Sequence, residues 1–130
     1  MISGQLYDPL GFVFHPLDGP QVGPWTCVAS RPELPLAVVG GAGGRAVLVS
    51  AAGAVHEQTA ASGDFRAAAV DRAGSVYLAT DREIWFRSSE GLWTRASGDE
   101  QPPAPYLALF ADAGRVVAVA EDGSVVEGRA

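Results

Sequence analysis

The chain has 130 residues, 48% of them hydrophobic and 18% charged. That suits one domain with an apolar core and excludes a disordered polar segment. The 9 basic residues against 15 acidic ones give a formal charge of −6, a balance that argues against a nucleic-acid or anionic-membrane surface. The lone cysteine, Cys27, cannot form an internal disulfide.

Every basic residue is arginine; lysine and asparagine do not occur. The apolar run 36–39, like every other in the chain, falls far below the roughly 20 residues of a membrane-spanning helix. Residues 1–5 carry neither the positive charge nor the apolar stretch of a secretory signal, so the expected location is cytoplasmic.

Helical periodicity is nearly absent, because glycine or proline interrupts each window that begins to show it. Short runs rich in Val, Ala, Leu, Trp or Phe recur instead, each ended by a turn with Gly or Asp. In chain order the expected strands are 11–15, 25–30, 36–40, 46–50, 54–59, 65–71, 75–80, 84–88, 92–96, 106–111, 115–121 and 124–128. An all-β fold follows.

These strands repeat. A shift of forty lays Ala73-Gly74-Ser75-Val76-Tyr77 on Ala113-Gly114-Arg115-Val116-Val117. The same shift backwards lays Val76 on Leu36, Leu78 on Val38, and Ala68-Ala69 on Val28-Ala29. Each unit then holds four antiparallel strands, A to D. The expected division is an N-terminal strand and linker over 1–24, unit one over 25–62, unit two with a proline-rich loop over 63–105, and unit three over 106–130. Unit three stops after its third strand. Gly11 to His15 matches the D-type stretch Gly53-Ala54-Val55-His56 and is expected to complete it.

A forty-residue period of four strands resembles the blades of a β-propeller. The segment Phe86-Arg87-Ser88-Ser89-Glu90-Gly91-Leu92-Trp93 is similar to a degenerate Asp-box, the C–D turn of sialidase-like and photosystem-assembly-factor-like propellers. It departs from that pattern in having Glu90 near the aspartate position and no threonine before Trp93. Propellers have four to eight blades, so three would leave two outer faces bare, each with roughly several hundred Å² of apolar surface. Three resolutions stay open: a six-bladed ring made by a homodimer or other homo-oligomer, a small β-barrel or β-sandwich, or completion by a different protein.

The resemblance implies that the B–C turns and D–A connections share one binding face. Asp81, Arg82 and Glu83 fall in one B–C turn and Glu121 and Asp122 in the next, while Asp18, Asp64, Asp99 and Glu100 fall in D–A connections. Such a cluster suits a basic peptide, a polyol or Ca²⁺. Trp85 and Trp93 either fill the space between blades or stack on a sugar. The loop 97–105, with Pro102, Pro103 and Pro105, is a candidate partner contact.

The remaining residues read structurally. His15 and His56 lie on D-type strands and are too few for a metal site. Glu57 points away from His56 by strand alternation, and the same alternation puts Cys27 with Trp25 on one face as a small buried hydrophobe. The run 40–44 precedes a strand rather than a helix, so it reads as a flexible hairpin loop and not a phosphate loop. No catalytic residue, metal or cofactor is expected. The first functional reading is a non-enzymatic protein- or ligand-binding scaffold, the alternative a small propeller lectin. A sialidase-type hydrolase is the weakest, since it needs a complete ring of acids and arginines.

Overall fold

The computed structural model describes residues 6–7, 13–14, 24–88, 90–96, 104–112 and 114–129. Eleven strands make three antiparallel sheets, each running in chain order from an inner to an outer strand. Sheet one holds β3 (Trp25–Arg31), β4 (Leu36–Gly41), β5 (Arg45–Ser50) and β6 (Gly53–Gln58). Sheet two holds β7 (Ala67–Val70), β8 (Val76–Ala79), β9 (Ile84–Arg87) and β10 (Trp93–Arg95). Sheet three holds β11 (Tyr106–Asp112), β12 (Arg115–Ala120) and β13 (Val125–Arg129). No helix among the described residues is long and apolar enough to cross a membrane.

Tight turns explain the meander. Gly74 and Gly114, forty residues apart, both adopt positive φ, +89° and +73°, a conformation only glycine takes without a Cβ penalty. Before Gly74, the buried Asp71 carboxylate accepts the N–H groups of Ala73 and Ser75 at 3.0 and 2.9 Å. Asp71 N–H also donates to Ser75 O at 3.0 Å, so the turn is closed by backbone and side chain together.

The inner strands lie side by side, β7 between β3 and β11. Sheet two is therefore covered on both faces, and all of β8 is buried. Val76 and Leu78 join Val38, Leu48, Phe65, Val70 and Trp85 in the core against sheet one. Tyr77 and Ala79, which point the other way, pack with Tyr106, Ala111, Val116 and Ala118 of sheet three. The layers are separate stacked sheets, not a sheet closed into a barrel or a two-layer sandwich.

Four expectations change. The forty-residue shift holds between β3 and β7 but slips by one at β4, and again past a bulge in β11, where Leu109 pairs with Ala118 although Ala69 pairs with Tyr77. Ala29 pairs with Val38 and Ala69 with Tyr77, so Val38 stands where Tyr77 does. The cause is one extra residue in the turn after Arg31: Arg31 pairs with Leu36, whereas Asp71 bonds to Ser75. Second, a β-bulge between Trp25 and Cys27 puts them on opposite faces: a Cβ on Gly40 would meet Cys27 Sγ, and one on Gly41 the Trp25 ring.

Third, Val13–Phe14 (β2) pairs with Leu6–Tyr7 (β1) as a two-stranded sheet and does not join β13. A local hairpin partner wins over a distant edge, whose pairing would require closing a long loop. Fourth, the glycine run is not a slack loop. It forms a short 3₁₀ turn, Ala42–Gly44. Gly43 N–H donates to Asp64 at 2.9 Å, and Gly43 O and Gly44 O accept the side chains of Gln58 and Thr59.

Candidate binding face

The turn after β4, the turn after β8 and the segment joining β6 to β7 come together at one end of the stack. Asp64 reaches back to Gly43, while Ser62 donates through N–H and Oγ to Glu83, each at 3.3 Å. Asp81 O accepts Tyr106 N–H at 3.1 Å, and Pro105 O accepts Glu121 N–H at 2.9 Å. The third sheet's B–C turn and the segment leading into β11 thus lie at the same end. Between them opens a cleft of about 710 Å³ lined by Thr26, Ser62, Gly63, Asp64, Phe65, Arg66 and Asp81.

The structure separates the acidic residues by what they already hold. Asp64 and Asp81 are exposed on the cleft wall. Glu83 turns inward and accepts Trp85 Nε1 at 3.3 Å as well as the Ser62 groups, with Arg95 at 3.8 Å. It braces the turn rather than facing solvent. Glu121 is engaged by Arg66, which joins sheet three's turn to the cleft wall. Arg82 is exposed, its N–H donated to Thr80 Oγ1. Asp122 is exposed and accepts Ser124 N–H, which holds its carboxyl below the usual range. His15, Asp18, Asp99, Glu100, Pro102 and Pro103 lie outside the described residues.

Trp85 is 9% exposed and belongs to the core between sheets one and two. Trp93 is half-buried, and its Nε1 donates to Glu57 Oε1 at 2.6 Å. Both indole N–H groups therefore serve the stack, and Trp85 offers no face to a sugar.

Glu57 is the residue that sequence reasoning weighed only as a neighbour of His56. It also takes Arg87 as a two-point fork at 2.8 and 3.0 Å, from β6 of sheet one to β9 of sheet two. Burial pushes its carboxyl up, but the hydrogen bonds from Arg87 and Trp93 and the Arg87 charge outweigh that and hold it below the ordinary range. The signal was present: alternation places Glu57 with Val55, opposite His56, on the face that meets sheet two. His56 itself is exposed, its ring 6.2 Å from that of Trp25.

Two further features bear on chemistry. Burial pushes the Cys27 thiol above its ordinary value against weaker pulls from Gly40 and Thr26, which disfavours the thiolate a nucleophile needs. Among the described residues no group of three or more His, Cys, Asp or Glu side chains is placed to hold a metal ion.

No family model and no curated protein matches the chain. Its fold is similar to that of virginiamycin B lyase from Staphylococcus aureus, a β-propeller enzyme, with a TM-score of 0.61 at 10% identity. The match covers 95% of this chain and 47% of that one, so the chain spans about half the lyase's length. It is also similar to the computationally designed Ika4 protein, with a TM-score of 0.50 at 15% identity over 88% of this chain and 95% of that one. Likeness at these identities concerns architecture, since unrelated functions share folds. The chain is an all-β protein of three stacked antiparallel sheets with a propeller-like fold.

Proposed function

We propose that the chain is a non-enzymatic binding module that works as an assembly of copies, its loop-bearing end receiving a basic peptide segment. The observation that carries this reading is the cleft beside Asp64 and Asp81. It is open, acidic on its walls, and its one lining cation, Arg66, is already engaged by Glu121. Two exposed carboxylates flanking a groove attract guanidinium and ammonium groups and steer their approach. The chain's overall charge of −6 acts in the same direction.

The test is a calorimetric titration with hexa-arginine and with hexa-glutamate. Hexa-arginine binds and hexa-glutamate does not. The double substitution Asp64→Asn, Asp81→Asn weakens binding about tenfold, roughly 1.4 kcal/mol. Equal binding by that variant overturns the cleft as the site. Assembly is tested separately: sedimentation gives a mass near twice 13.4 kDa.

A further inference from the structure

Among the described residues, sheet two is packed between sheets one and three, whereas sheets one and three each have a second face that meets neither of the other two. Register identifies those faces. In sheet three, Ala108 pairs with Val119, Val119 with Val125, and Phe110 with Val117. These five side chains lie opposite Leu109, Val116 and Ala118, which meet sheet two. Phe110 is 61% and Val125 63% exposed. In sheet one the row Val28, Val39, Val47, His56 runs across all four strands, Val28 being 68% exposed at its edge and Val47 in its middle only 5%. Isolated exposed apolar residues are ordinary, but rows spanning a sheet are not.

We infer that the bare face of sheet three docks head to tail on the bare face of sheet one in a second copy, twice over, so that two copies close one ring. This rests on the assembly part of the reading above and adds which surfaces meet. Continuity supports it: at both junctions inside the chain, the forward face of one sheet meets the backward face of the next. Sheet three's bare face is a forward face and sheet one's a backward face, so the same stacking continues between copies. Propeller architecture supports it too, because the chain matches 47% of a β-propeller, which leaves about as many sheets again to complete a ring.

The area agrees. With strands about 4.8 Å apart and about 3.3 Å per residue, each face covers roughly 250–300 Å². Four such faces bury about 1,100 Å², above the roughly 1,000 Å² that a specific interface needs. Heterologous contacts close when the rotation allows, and here two copies suffice.

The experiment uses two single variants, Phe110→Asp and Val28→Arg, examined by sedimentation at tens of micromolar. Alone, each spoils one face of both junctions and sediments near 13.4 kDa. Mixed in equal amounts, they recover a species of twice that mass. One junction then joins two unaltered faces, and the other sets the new aspartate against the new arginine. A wild-type dimer with no recovery on mixing overturns head-to-tail docking and leaves assembly standing. A wild type that stays monomeric overturns both. If either variant loses its β-sheet circular dichroism, Ala108→Asp with Ser30→Arg, at exposed positions on the same two faces, gives the same readout.

Discussion

The two junctions inside the chain are built from different materials. Between sheets one and two, large side chains interlock: Phe65 and Leu78 are fully buried against Val38 and Leu48. At their outer rim the fork of Arg87 on Glu57, with Trp93, ties β6 to β9 and β10. Between sheets two and three the contact is richer in alanine, Ala67, Ala69, Ala79, Ala111 and Ala118, among the larger Tyr77, Ile84, Tyr106 and Val116, with Phe86 and Leu109 packed against them. Ion pairs join its two ends, Arg66 to Glu121 at one and Arg72 to Asp112 at the other, where Arg31 of sheet one also reaches Asp112. One stacking geometry is thus held by volume in one place and by small residues with charges at the ends in the other. Substitutions should fall into two classes, one insensitive to salt and one sensitive.

The largest effect belongs to the first junction. Phe65→Ala leaves a void where a fully buried ring stood and lowers stability by about 3–5 kcal/mol in urea unfolding. A loss below about 1 kcal/mol would mean that the sheets close up freely, and the contrast between junctions would collapse. Gly40→Ala comes next. The added Cβ would stand 2.7 Å from Cys27 Sγ, 2.8 Å from Phe65 Cβ and 3.0 Å from Leu78 Cδ2, all in the packed core. The expected cost is about 1–3 kcal/mol from overpacking.

Gly40 also marks how far the sequence could be read. Strand positions and turn glycines were legible because each is a local signal: Gly74 and Gly114 announce hairpins wherever they sit. The face that β4 presents was not, because one extra turn residue reverses it and a shift of forty cannot register that. The bulge at Trp25 was hidden for the same reason. At the binding face, repeat register placed Asp81, Glu83, Glu121 and Asp122 in equivalent turns. It could not tell exposed Asp81 from Glu83, which braces Ser62 and Trp85, because that depends on a contact across 21 residues.

Glu57→Gln tests the rim of the first junction. The side chains of Glu57 and Arg87 are 20% and 25% exposed, so solvent discounts the pair, and the expected cost at pH 7 is about 1–2 kcal/mol. Its pH dependence has a definite sign. The folded carboxyl is held below its unfolded value of about 4.3. Its contribution is therefore fully present above that pH and is lost as the pH falls through the lower folded value. The stability gap between wild type and Glu57→Gln should shrink on acidification below about pH 4.3. A gap that stays constant to pH 3 assigns Glu57 a packing role instead.

Asp112→Ala is the smallest change and probes the second junction. The Asp112 carboxylate takes Arg72 at 2.8 and 2.6 Å and Arg31 at 3.1 Å, joining the end of β11 to the end of β3 and to the turn after β7. Arg72 is largely exposed, and Arg31 Nε is buried without a hydrogen-bond partner, so the arrangement is less complete than the fork on Glu57. The loss should be smaller than for Glu57→Gln and visible as a lower Tm in dilute buffer. At 1 M salt the screening length falls to about 3 Å, and most of that Tm difference should vanish. The deficit of Phe65→Ala, which comes from lost volume, should persist under the same conditions. If salt leaves the Asp112→Ala deficit intact, the ends of the second junction are held by packing, and the two junctions differ only in the size of the side chains between them.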